Sequence, residues 1–85
     1  MTRAVVLGAA LIELVEPSRG EPNCLSYDVH QAVEDPSLWM VYENWSSAED
    51  LDAHFSMPHM VAFVERIPDL VEGELNLTGF TRLTS

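Results

Sequence analysis

ENWSSAEDLDAHFSMPHMVAF, residues 43–63, reads as the end of a strand, a capped helical turn, a proline break and a second helical segment. Ser46 followed three residues later by Glu49 has the form of a capping box, in which the hydroxyl takes an orphan amide and the carboxylate reaches back. Leu51 and Phe55 fall one turn apart on a single helix face, with His54 on its shoulder. Pro58 has no amide hydrogen to continue a helical ladder, so it breaks the first helix or opens a second near its first turn. Met60, Phe63, Val64 and Ile67 form the next apolar stripe. Two histidines thus flank a bend between two core-facing helical segments, just after a strand that carries Trp39, Tyr42 and Trp45. This arrangement can form the wall of a small-molecule cavity.

Working outward, Cys24 to Gln31 alternates Leu25, Tyr27 and Val29 against Ser26, Asp28 and His30, the pattern of a strand. Glu34-Asp35-Pro36-Ser37 is a turn by composition. Leu38 to Trp45 is a second strand, apolar on both faces and so expected to be covered on both, and the two strands make a hairpin. Further upstream, Ala4, Leu7, Leu11, Leu14 and Val15 recur at helical spacing. Gly20, Pro22 and Asn23 end that helix, with Asn23 able to adopt a left-handed conformation. A rival reading makes Arg3 to Leu7 a short strand and starts the helix near Ala9. Downstream, Pro68 and Gly73 bracket a turn. Leu75, Leu77, Thr81 and Leu83 then alternate with Asn76, Thr78, Phe80 and Arg82 in a last strand, with a bulge at Gly79. The order is helix, strand, strand, helix, strand.

The chain has 85 residues, which allows a single domain over residues 1–85 with a thin core. A formal charge of −10, with only Arg3, Arg19, Arg66 and Arg82 basic, argues against nucleic acid or an anionic membrane as partner. The lone Cys24 excludes an internal disulfide framework and fits a reducing cytoplasm. The apolar run from Ala4 to Val15 is too short to span a bilayer, and it lacks a small-residue cleavage site.

Glu43-x-Trp45, Leu51-x-Ala53-His54 and Pro58-His59-x-x-Ala62-Phe63 resemble the signature of the antibiotic biosynthesis monooxygenase family, which includes cofactor-independent quinol monooxygenases. Val15-Glu16-Pro17-Ser18-Arg19 and Glu21-Pro22-Asn23-Cys24-Leu25-Ser26-Tyr27 resemble that family's passage from first helix to strand. The resemblance implies a ferredoxin-like α+β fold of the dimeric α+β-barrel type, with one more strand before the first helix. That strand is missing or stunted here. Its loss would leave amides unpaired in mid-sheet, which is costly. A partner chain, a remodelled N-terminus or a natural start upstream of Met1 would each compensate. Met57 stands where a threonine or serine usually precedes the proline, so the cap must come from Ser56 or be lost. Haem degradation is not implied, because the first-strand asparagine of haem-degrading relatives has no counterpart.

Among the chemistries, no G-x-G-x-x-G, P-loop or C-x-x-C is present, which removes the usual hardware for nucleotides, flavins and thiol redox. His54 and His59 are five apart. A metal site would need the Pro58 bend to reunite them and a third ligand such as Glu43, and none is expected. An apolar pocket with few polar groups suits oxygenation without a cofactor. A deprotonated quinol or polycyclic phenol hands an electron to oxygen, while the protein holds the ring, takes a proton and excludes water.

His59, in the first turn after Pro58, is the expected base, kept neutral by the helix dipole, or else a structural cap of the bend. His54 is either a satisfied structural histidine or a second acid–base group. Glu43 either orients a histidine or pairs with Arg66 or Arg82. Tyr27 can present its hydroxyl to substrate, while Tyr42, Trp45, Phe55 and Phe63 are candidate substrate-binding rings; Tyr27 and Tyr42 serve equally as core, and Trp45 as a packing anchor. The expected partners are a small aromatic substrate, oxygen and a second copy of the chain. The rival functions are an isomerase of a small hydroxylated carbonyl compound and a non-enzymatic dimeric domain that binds a small ligand.

Overall fold

The computed structural model describes residues 2–73 and 75–84. Its elements are α1 (Arg3–Glu13), α2 (Val15–Arg19), β1 (Cys24–Gln31), β2 (Trp39–Trp45), α3 (Ala48–His54) and α4 (Pro58–Leu70). This is an α+β arrangement in which the helices cover one face of an antiparallel hairpin. No described helix is long and apolar enough to cross a membrane.

The chain enters α1 at Arg3, capped by the Thr2 hydroxyl, which accepts from the Val5 amide. The rival strand over Arg3 to Leu7 is therefore ruled out, and no strand precedes α1 among the described residues. Leu11 and Leu14 join Tyr27 and Met60 in the core, with Leu7, Val15, Val29, Trp39, Val41 and Phe63 packed around them. At Gly20 the backbone stays right-handed, and no described non-glycine residue has positive φ. Asn23 instead serves through hydrogen bonds. Its side chain donates to Asp50 (2.8 Å) and its carbonyl accepts from the Ser46 amide (3.0 Å).

The hairpin pairs Val29 with Val41 and Gln31 with Trp39, and its turn is pinned by Asp35 accepting from the Ser37 amide and hydroxyl. The expected inward row of Leu25, Tyr27 and Val29 holds only in part. The register shifts between Cys24 and Ser26, an extra residue that turns Leu25 out to solvent and Cys24 toward the core. β2 is covered on one face only. Met40 and Tyr42 stand exposed on the other, because every helix lies on the Trp39–Val41 side.

The helix cap falls one residue later than expected. Ser47, not Ser46, takes the Asp50 amide (3.2 Å) and donates to the Asp50 carboxylate (2.7 Å). Pro58 opens α4 at its first turn, and Met57 provides no side-chain cap. The buried stripe of α4 is Met60 and Leu70, with Phe63 and Ile67 half-covered; Val64 lies outside it. Pro68 does not end the helix. It sits in the last turn, where only one ladder bond is forfeited, and α4 runs on to Leu70. The alternating residues 75–84 form no strand in the single chain. A strand needs a ladder partner, none adjoins them, and Leu75, Leu77, Phe80 and Leu83 are all exposed.

Candidate functional site

Three separate segments bring polar groups together beneath the helices. Glu21 comes from the turn between α2 and β1, His54 closes α3, and His59 is the second residue of α4. Met57 accepts nothing through its side chain, but the bend it makes with Pro58 folds the two histidines toward one another. Their ring centroids lie 5.8 Å apart. A single oxygen, Glu21 Oε2, faces His54 Nδ1 at 2.6 Å and His59 Nε2 at 2.9 Å. A carboxylate only accepts, so both rings donate to it. In the neutral ring this puts the His59 proton on Nε2 and leaves Nδ1 as the lone-pair nitrogen.

His54 is completely buried, while the His59 side chain keeps 20% of its surface. His54 Nε2 has no hydrogen-bond partner, and the nearest acidic oxygen is Glu43 Oε1 at 3.8 Å. Glu43 in turn accepts from Trp45 Nε1 (3.0 Å), and the Trp45 ring lies over His54 at 4.6 Å. The expected alternative for Glu43, an ion pair with Arg66 or Arg82, is not formed among the described residues. Burial, followed by the carboxylates Glu21 and Glu43, pushes the Cys24 thiol up. Burial and then Glu43 push the Tyr27 hydroxyl up to about 12.

Of the eight expected site residues, His59 and Phe63 line a half-open cleft of about 160 Å³ between α1 and α4, with Ala10, Glu13, Leu14, Ala62 and Arg66. His54, Glu43 and Trp45 form a layer behind it. Tyr27 is 2% exposed, a core residue with its ring edge against His54. Tyr42 is exposed on the far face of the hairpin, and Phe55 lies outside the cleft beside the outer edge of His54. The residue missed is Glu21. Flanked by Gly20 and Pro22 it has the composition of a solvated turn, and its partners are 33 and 38 residues away. Its one signal was its place at the head of the motif Glu21-Pro22-Asn23-Cys24.

The profile of the antibiotic biosynthesis monooxygenase family matches residues 6–66. An uncharacterised protein of Synechocystis is 39% identical over 57 residues, 67% of this chain but 39% of that protein's length. A Pseudomonas aeruginosa protein of known structure superposes with a TM-score of 0.79 at 34% identity, covering 84% of this chain and 72% of the other. A Mycobacterium tuberculosis protein, whose name gives it provisionally as a monooxygenase, is 28% identical over 72 residues, 85% of this chain and 70% of that protein. Its solved structure gives a TM-score of 0.83 over 96% of this chain and 86% of that one, at 22% identity.

Proposed function

Because the chain belongs to the antibiotic biosynthesis monooxygenase family and has its ferredoxin-like fold, we propose that it is a monooxygenase that oxidises a small quinol with molecular oxygen and no cofactor. The observation that carries this reading is the 2.9 Å contact between His59 Nε2 and the buried Glu21 carboxylate. In a neutral ring that donates Nε2–H to this carboxylate, Nδ1 is the base, on a side chain that reaches the cleft. Quinol and oxygen then give hydroxyquinone and water. His59 removes the phenolic proton, the phenolate reduces oxygen, and Leu14, Ala62 and Phe63 give the ring apolar contacts.

A cavity of about 150 Å³ holds one benzene ring, so the cleft, about 160 Å³ and open on one side, takes one quinol ring and leaves any further fused ring in solvent. The isomerase reading needs acid and base held on the same substrate; His54 does not line the cleft, and the second titratable group that does, Glu13, is exposed to solvent. A purely structural domain leaves the oriented Nδ1 without a role. The working unit we propose is a homodimer of single-domain chains, supported by the unpaired residues 75–84, and a cytoplasmic setting is supported by the free Cys24 thiol.

The test is oxygen uptake across a panel of monocyclic and fused-ring quinols, with product oxygen traced from labelled oxygen gas. Monocyclic quinols should turn over fastest. His59→Ala should lower the rate by ~10² or more, as loss of a general base does. A His59→Ala protein that oxidises quinols at the parent rate defeats the assignment.

A further inference from the structure

The three atoms Glu21 Oε2, His54 Nδ1 and His59 Nε2 all lie within 4.8 Å of one another. We propose that they form a binding site for a divalent transition metal, with two imidazoles and one carboxylate as ligands and a fourth position for a water. The donor set is the first argument. Two ring nitrogens with one carboxylate suit zinc or cobalt, whereas magnesium and calcium demand oxygen. The ligands come from three segments that the fold already holds together, so little chain must be ordered on binding. The present separations of 2.6 and 2.9 Å are those of hydrogen bonds. Tetrahedral coordination at about 2.1 Å spreads ligand atoms to roughly 3.4 Å, a shift within the reach of side-chain torsions.

The second argument is independent of the ligand atoms. His54 Nε2 is buried without a partner, and across from it, 3.8 Å away, is a carboxylate oxygen of Glu43. While Nδ1 keeps the ring proton for Glu21, Nε2 presents a bare lone pair toward that oxygen. A metal on Nδ1 moves the proton to Nε2, where it points at Glu43, itself fixed by the Trp45 indole N–H. This is the carboxylate–histidine–metal arrangement by which outer partners orient a ligating ring. The His59 proton moves likewise from Nε2 to Nδ1, so neither ring loses a proton overall.

Metal and quinol oxidation exclude each other in this scheme, since the metal puts a proton on the nitrogen that would act as base. Bound metal is thus an antagonist of the proposed activity, and its binding can be measured without any substrate. Protein freed of metal is titrated with zinc by calorimetry and with cobalt by visible absorption. One metal per chain should bind with micromolar or tighter affinity, and cobalt should show the intense bands of a site with fewer than six ligands. Glu43→Gln should weaken binding by roughly 10–100-fold, the usual cost of an outer partner, and His59→Ala and Glu21→Gln by more. His30→Ala, which removes an exposed histidine on β1, should change nothing. Should Glu21→Gln fail to fold, His59→Ala and Glu43→Gln decide. Absence of saturable binding, binding indifferent to His59→Ala, or binding lost in His30→Ala would overturn the site.

Discussion

At position 21 a carboxylate with 7% side-chain exposure satisfies two rings, one of them sealed from water. Replacing Glu21 by alanine leaves His54 buried with both nitrogens unpaired, and breaking a buried pair in this way costs about 3–5 kcal/mol. His59→Ala leaves the His54 bond intact and removes a partly solvated ring, so its cost should be nearer 1 kcal/mol. Urea unfolding of the two variants should give that order. Tyr27 supplies a pH test. Its hydroxyl is held up to about 12, against about 10 in the unfolded chain. The unfolded state therefore loses its proton first. The contribution is intact below pH 10 and is lost between pH 10 and 12, at up to about 1.4 kcal/mol per unit. Unfolding measured from pH 9 to 11 should show this slope, and Tyr27→Phe should flatten it. Of these residues Tyr27 was legible in the sequence as one of an alternating row. Glu21 was not, because neither periodicity nor spacing reports a contact 33 residues away.

Between elements, α1 and β2 meet at Gly8. A methyl group there would stand 2.4 Å from Trp39 Cζ2 and 2.5 Å from Cη2, and the indole is tied to α1 by its N–H on the Ala4 carbonyl (3.2 Å). Alanine is about 1 kcal/mol the better helix former, but overpacking costs about 1–3 kcal/mol. Gly8→Ala should therefore destabilise the protein, and Trp39→Leu should cancel most of that loss in a double-mutant cycle. Nothing in the local sequence marks Gly8 for this contact, since its neighbour lies 31 positions on. The hairpin was legible because alternation and turn chemistry are local. The cap was legible only to within one residue, because Ser46 and Ser47 both precede acidic residues at the right spacing. Pro68 was misjudged because its position in the helix, the last turn, is not itself written in the proline.

For the whole molecule, the exposed Met40 and Tyr42 face and the unpaired residues 75–84 are what support the proposed homodimer, in which a second copy's sheet and tail would do the covering. The last strand expected from the alternation of Leu75, Leu77, Thr81 and Leu83 is not formed, because the chain alone holds no ladder for it. Light scattering at micromolar concentration should give twice the chain mass, and removal of residues 75–85 should give a monomer. A full-length chain that stays monomeric defeats the dimer. The same tail has a colloidal consequence. Leu75 to Leu83 carries one charge, Arg82, and no proline, the composition of segments that stack into intermolecular sheets when exposed. What holds such chains apart is the charge of −10 on the whole chain, all of whose acidic groups lie before the tail. That repulsion vanishes near the isoelectric point of about 4.3 and is screened by salt. In the proposed dimer the acidity would thus act as a kinetic filter, holding off disordered encounters while leaving the buried, registered one to win.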